Sequence, residues 1–235
     1  SDKVNWNYIS KYQKLSESFI EKFSDKVNWN YISTYQKLSE DFIEKFSDKV
    51  NWDYISTYQK LSEDFISKFS DKIDWNYISK YQKLFKDFIS KFSDKVNWNY
   101  ISKCQKLSKD FIEKHNLKIS DDNWIYKSTE FKKEQIKDCG KYKCFEDYFI
   151  AYKGIRSDRY SNFNFQFKYE KLNTYKTHSD FTNEENSFGF SAWTKEEAKN
   201  YCDEKIVKVK IFYEDVSRLV HDSNKVRCSK ITILN

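Results

Sequence analysis

Hydrophobic positions in the first half of the chain recur every 23 residues. The copy at 24–46, SDKVNWNYISTYQKLSEDFIEKF, places Val27, Trp29, Tyr31, Ile32 and Tyr35 in one cluster and Leu38, Phe42, Ile43 and Phe46 in a second. Five copies run head to tail from Ser1, Ser24, Ser47, Ser70 and Ser93. The clusters are short helical patterns, each preceded by a strong N-cap residue: Asn5, Asn28, Asn51, Asp74 and Asn97 for the first helix, Ser16 and its equivalents for the second. An apolar residue before each cap and another at the fourth helical position, as in Val4 with Ile9 and Leu15 with Ile20, form hydrophobic staples. Each unit therefore predicts helix, turn, helix, with about eight residues per helix. Helices this short are unstable alone, so the units must stack. The expected architecture is an α-solenoid of five repeats.

Comparing the copies separates faces. Most differences fall at polar positions, Lys11 against Thr34 and Thr57, Glu17 against Lys86 and Lys109, and Glu21 against Ser67 and Ser90. These are expected to face solvent. Apolar positions barely change. Phe85 stands where the other copies cap the second helix with Ser, a loss worth about 1 kcal/mol. His115 replaces the last Phe and marks the end of the array. The column Trp6, Trp29, Trp52, Trp75 and Trp98 reads as a core ladder rather than a stacking platform for bases or sugars. Gln13, Gln36, Gln59, Gln82 and Gln105 are polar yet identical in every copy, as are the neighbouring Ser and Lys positions. They are candidates for inter-repeat hydrogen bonds or for a repeated contact face.

The period ends at His115, so the expected division is 1–115, repeats, and 116–235, a small α+β domain that caps the array. Ser128 opens a helix that runs to Asp138 and stops at Gly140. Strands are predicted at 148–155, at 162–169 with Phe163, Phe165, Phe167 and Tyr169 on one face, at 187–193, at 206–213 and at 226–234. Thr194-Lys195-Glu196-Glu197 is a capping box that opens a helix to about Cys202.

Composition narrows the function classes. Aromatic residues make up 19% of the 235 and charged residues 33%, with no Pro and three Gly. That aromatic content argues against disorder. The net charge is +6, but Lys and acidic residues alternate without a basic run and Arg is scarce, which argues against a nucleic-acid partner. No apolar stretch approaches the roughly 20 residues of a membrane helix, and no signal-peptide pattern is present. Five irregularly spaced Cys fit a reduced, cytoplasmic setting. The chain opens without Met at the first residue of a repeat, which leaves room for further repeats upstream.

The texture of the unit, KVNWNYISTYQKLSEDFI at 26–43, resembles repeat-rich proteins of giant DNA viruses of the mimivirus type over 1–114. The stretch 148–234, with SDRYSNFNFQFKYE, SFGFSAWTKEEAKNYC and KIVKVKIFYEDV, is similar to a domain of unknown function in phage and giant-virus proteins. These likenesses imply a viral or mobile-element source and a partner-binding array, without an assigned activity.

The sharpest enzymatic reading is an ADP-ribosyltransferase-like fold. That family shows a Tyr-Arg-Gly strand, a Ser-Thr-Ser-like strand and a catalytic Glu. Tyr152-Lys153-Gly154, Phe190-Ser191-Ala192 and Glu214 or Asp215 are similar in order. Lys153 in place of Arg loses the bidentate fork for a cofactor phosphate, and the Gln/Glu-x-Glu motif is absent. A zinc site from Cys139, Cys144, Cys202 and Cys228 lacks a Cys-x2-Cys knuckle, so buried thiols are the favoured reading. His178 and His221 sit beside polar turn residues, and three scattered glycines form no phosphate loop.

The resulting expectation is a non-enzymatic interaction protein that binds or sequesters a protein, naturally a host protein, through the repeat face. It needs no cofactor. The alternatives are an NAD-using transferase built on Tyr152, Lys153, Ser191 and Glu214, and a structural protein that self-associates through solenoid ends.

Overall fold

The computed structural model describes residues 4–179, 181 and 189–235. They form two compact units: Ser1–Asn97 together with Phe163–Phe167, and Trp98–Asn162 together with Lys168–Asn235.

Ten short helices follow the repeats. They are α1 (Trp6–Tyr12), α2 (Glu17–Lys22), α3 (Trp29–Tyr35), α4 (Glu40–Lys45), α5 (Trp52–Tyr58), α6 (Glu63–Lys68), α7 (Trp75–Tyr81), α8 (Lys86–Lys91), α9 (Trp98–Cys104) and α10 (Lys109–Lys114). The caps act as their residue types require: Asn28 Oδ1 accepts from Tyr31 N and Ser39 Oγ from Phe42 N. Phe85 makes no side-chain cap on α8.

In the first unit one helix of each repeat packs on its counterpart, α1 on α3, α3 on α5 and α5 on α7. Between them lies a line of buried isoleucines: Ile32, Ile43, Ile55, Ile66, Ile78 and Ile89. Burying each such side chain contributes about 1.5–3 kcal/mol, which helices of six or seven residues cannot recover from their own hydrogen bonds. The tryptophans are half-buried and pack inside their own repeat. Trp52 lies 6.3 Å from Phe65 and 5.1 Å from Phe69, its indole N–H donates to Ser47 O, and Lys72 of the next repeat covers its ring.

The polar positions carry the stacking. Ser33 Oγ accepts from Asn51 N, and Asn51 Nδ2 donates to Asn30 Oδ1, one repeat to the next. Glu17, Glu40 and Glu63 accept the backbone N–H of Ser39, Ser62 and Phe85 in the following repeat. Two expectations of solvent-facing positions are therefore corrected. Glu17 is a cross-repeat acceptor, and Thr34 and Thr57 are buried, 7% and 9% exposed. Each threonine turns its hydroxyl back on the helix, Thr34 Oγ1 to Asn30 O and Thr57 Oγ1 to Asp53 O.

The second unit holds the fifth repeat's helices, α11 (Thr129–Asp138), α12 (Lys195–Tyr201) and an antiparallel sheet. The strands are β1 (Lys143–Cys144), β2 (Tyr148–Ile155), β3 (Thr174–Lys176), β4 (Phe190–Trp193), β5 (Lys205–Phe212), β6 (Val216–Val220), β7 (Lys225–Cys228) and β8 (Lys230–Ile233). Their order is β3-β8-β5-β2-β4-β7-β6, with β1 beside β2. The predicted strand at 226–234 is two strands, parted at Ser229 and paired with different neighbours. They stand four places apart in the order, about 19 Å in a flat sheet, yet one residue joins them. The sheet therefore curls until β7 and β8 meet. Gly154 allows α12 to lie on β2: a Cβ there would meet Ala198 O and Cys202 O at 2.4 and 2.5 Å. Ser128 and Thr194 cap α11 and α12, and Gly140 stands at φ +68° just past α11, all as the sequence predicts. Ser187 and Phe188, placed in the predicted strand at 187–193, lie outside the described residues.

The predicted strand at 162–169 does not form. Its alternation is real, but Phe163–Phe167 packs in the first unit, and only an isolated bridge from Tyr160 to Lys168 remains of the pairing. Phe165 is buried and Phe163 meets the tyrosines that end two repeat helices, in place of a neighbouring strand.

His115 keeps the place of the phenylalanine it replaces, stacked 4.7 Å from Trp98. Beyond it Tyr126 closes the fifth repeat. Its hydroxyl donates to Gln105 O at 2.9 Å and accepts from Leu107 N at 3.1 Å.

Candidate functional site

The site grows from the C-terminal ends of α3 and α5. The last carbonyls of a helix have no partner within it and must find N–H donors elsewhere. In this array the next repeat's glutamine supplies them. Gln36 Nε2 donates to Ser10 O (2.9 Å) and Gln13 O (2.8 Å), and its Oε1 accepts from Leu15 N (3.0 Å). Gln59 repeats the three bonds with Ser33 O, Gln36 O and Leu38 N, at 2.8, 2.8 and 3.1 Å. Gln82 does the same on Ser56 O, Gln59 O and Leu61 N. Gln36, Gln59, Gln82 and Gln105 are all buried, and Gln13 is exposed. Of the two roles open to this row, the structure shows the hydrogen-bonding one. A glutamine carries donor and acceptor on one side chain; the Tyr126 hydroxyl has the same pair, which is why it can finish the series.

Beside the glutamines runs a row of tyrosines. Tyr35 and Tyr58 end α3 and α5, and Phe163–Phe167 is seated between them. The Phe163 ring lies 5.7 Å from both Tyr35 and Tyr58. Phe165 is 3% exposed and its N–H donates to Tyr35 O at 3.1 Å. Gln166 Nε2 donates to Gln36 O at 3.4 Å and to Gln59 Oε1 at 3.2 Å. The segment thus supplies further donors to helix-end carbonyls and aromatic faces to aromatic faces. Burial raises the Tyr58 phenol above its ordinary range, so it stays neutral in this apolar setting.

The row looks different at the first repeat. Lys11, at the position of Thr34 and Thr57, lies over the rings of Tyr12, Tyr31 and Tyr35 at 4.9, 5.8 and 5.4 Å. Its ammonium is held above the usual lysine range first by a hydrogen bond with Tyr12 and then by the field of Tyr35. A lysine at 34 or 57 would bring the same long side chain to the tyrosines that Phe163 meets. The sequence comparison noted this variation and missed its meaning; the signal was that Thr replaces Lys in two adjacent copies only.

Of the enzymatic candidates, Lys153 and Ser191 are brought together, and Tyr152 and Glu214 are not. Lys153 Nζ donates to Ser191 O at 3.0 Å. Tyr152 points to the opposite face of β2, as alternation demands, and pairs with Trp193. Glu214 follows β5, whose Phe212 pairs with Tyr148, whereas Lys153 pairs with Val207. Five residues of strand, about 16 Å, separate the two ends. Glu214 lines an open acidic pocket with Glu130, Glu146 and Asp147 instead. Lys153 itself is 5% exposed, between the rings of Tyr169 and Trp193, and desolvation lowers its pKa to about 8.

The four cysteines weighed as metal ligands lie in separate places. Cys139 caps α11 and Cys202 caps α12, Cys144 is in β1 and Cys228 in β7. Among the described residues no three His, Cys, Asp or Glu gather in a way that could hold a metal. Nor is any helix among them long and apolar enough to cross a membrane.

Comparison with protein families, with curated proteins and with solved structures finds no match to this chain.

Proposed function

We propose that this chain is a non-enzymatic protein-interaction protein: the repeats stack as an α-solenoid, and their Tyr/Gln row captures a short segment of a partner protein. The observation that supports this reading is Phe163–Phe167, five residues without a strand partner, held on the row by backbone, amide and ring contacts. A periodic row suits such a role, because similar weak contacts at a fixed spacing add along an extended ligand. The resemblance to giant-virus repeats makes a host protein the natural partner, and sequestration or scaffolding the natural consequence. The separation of Lys153 from Glu214 leaves the transferase alternative without an assembled site.

The test is site-specific photocrosslinking in host-cell lysate, with a photoreactive phenylalanine at position 12 in the row or at position 41, an exposed position of α4. A discrete adduct from position 12 alone, lost when Tyr35 and Tyr58 become Ala, is the expected result. Equal adducts from both positions would remove the row from the binding surface.

A further inference from the structure

Thr34 and Thr57 lie in the two repeats whose Tyr35, Gln36, Tyr58 and Gln59 meet Phe163–Phe167. The unit otherwise varies little, and this position is Lys in the first, fourth and fifth copies. At the first copy the lysine spreads over three tyrosine rings. At the second and third the threonine folds onto its own helix, 2.8 and 2.7 Å from Asn30 O and Asp53 O; the Tyr58 ring meets Phe163, and the Tyr35 ring is shared by Phe163 and Lys11. The slot also selects for polarity. Tyr35 O takes a backbone N–H, and the carbonyl of Gln36 with the side-chain oxygen of Gln59 takes an amide NH2 three residues after the first phenylalanine. An acceptor-only side chain at that place would face two oxygens. The slot therefore reads Phe-x-Phe-Gln in a bent form, with bends at Phe163, Phe165 and Gln166 and Gln166 N donating to Asn164 Oδ1 at 3.2 Å.

Resting on the interaction reading above, we propose that the Tyr35/Tyr58–Gln36/Gln59 slot is a receptor for a partner segment of the form Phe-x-Phe-Gln, and that Phe163–Phe167 is an internal occupant which such a partner displaces. Two features favour exchange. The edge of the internal segment is open to water: Phe163 is 44% exposed, and the Gln166 amide bonds are long, at 3.2 and 3.4 Å. The row also continues past it. Tyr8 and Tyr12 of the first repeat are 54% and 46% exposed, so a longer partner segment gains ring contacts that Phe163–Phe167 does not make. A second copy of this chain brings only the same segment, in competition with an internal one at millimolar effective concentration.

The probe is a fluorescent peptide of sequence SNFNFQFKYE, followed by anisotropy against the full chain. The wild-type chain should bind it weakly. A chain with Phe163→Ala, Phe165→Ala and Gln166→Ala should bind it at least tenfold more tightly. Adding Thr57→Lys to that variant should reverse the gain, and this change is compatible with the fold because Lys80 is buried at the same position of the fourth repeat. No binding to the triple variant, with its near-ultraviolet circular dichroism unchanged, overturns the proposal, as does binding that Thr57→Lys leaves intact. Should the triple variant fail to fold, hydrogen exchange on the wild-type chain decides. Millimolar peptide should speed exchange of the Phe165 amide at least tenfold, and an unchanged rate overturns the proposal. A concentration-dependent dimer of the wild-type chain that the triple variant does not form gives the slot to a second copy and likewise overturns it. If the peptide fails while the position-12 crosslink persists and depends on Tyr35 and Tyr58, the motif is refuted and the interaction reading stands.

Discussion

In the repeats, the buried amide of Gln59 makes three hydrogen bonds to the preceding repeat, and Gln36 and Gln82 make the same three one period away. In the sheet unit, the buried ammonium of Lys153 meets one carbonyl and the faces of two rings. Both regions bury polar groups, and they satisfy them differently. The repeats solve the problem once and copy the solution, so each polar position has a partner fixed by the period. The sheet brings together residues far apart in sequence, and its buried cation is held at the expense of its charge, with the pKa lowered to about 8. Buried polar groups stabilise where they are fully paired and cost where they are not. The difference shows in how each region should respond to change.

The sharpest contrast lies within the glutamine row. Gln59→Ala removes a buried side chain and leaves Ser33 O, Gln36 O and Leu38 N without their bonds, which should cost about 3 kcal/mol. Gln13→Ala, in nearly the same local sequence but exposed, should cost under about 0.5 kcal/mol. Urea denaturation of the two variants checks this, and equal losses would show that the ladder does not hold the repeats together.

The next effect belongs to the sheet. The Lys153 pKa is depressed, so the folded chain releases this proton more readily than the unfolded one. Between about pH 8 and the ordinary lysine value the unfolded state binds more protons, and stability rises with pH. Below about pH 8 both states are charged and the burial penalty is fully present. Lys132, lowered to about 8 mainly by desolvation, acts in the same direction. Lys153→Met should therefore melt higher than the wild type at pH 7 and lose part of that advantage by pH 9, a convergence of a few degrees, roughly. Parallel melting curves across that range would show that Lys153 keeps its proton in the folded chain up to near the ordinary lysine range.

The smallest effect tests the one repeat that departs from the pattern. Phe85→Ser should restore the missing cap on α8, with the new hydroxyl accepting from Phe88 N, and stabilise the chain by about 1 kcal/mol. It also removes an exposed aromatic side chain. A neutral or unfavourable change in the denaturation midpoint would mean that Phe85 has a contact of its own.

The sequence by itself determined what depends on near neighbours. The caps Asn28, Ser39, Ser128 and Thr194, the helix stop at Gly140 and the paired helices of each repeat are local features, because an N-cap reaches only two or three residues ahead and a helix bonds four residues back. The strand at 148–155 was legible from its apolar run, and the helices at 129–138 and 195–201 from their caps. Tertiary structure decided the rest. The alternation of Phe163, Phe165 and Phe167 describes a segment with one apolar face, and it does not say whether that face meets a strand or the ends of α3 and α5. The apolar run at 226–234 does not reveal the break at Ser229, because both halves alternate alike and only their partners differ. Lys11, Thr34 and Thr57 look equally polar in a row of letters. Whether each is half-exposed or buried is decided by the surfaces packed around it, which the letters do not name. Near-neighbour hydrogen bonds are written in the order of residues; burial is set by whichever surface arrives, and the chain's own order does not name it.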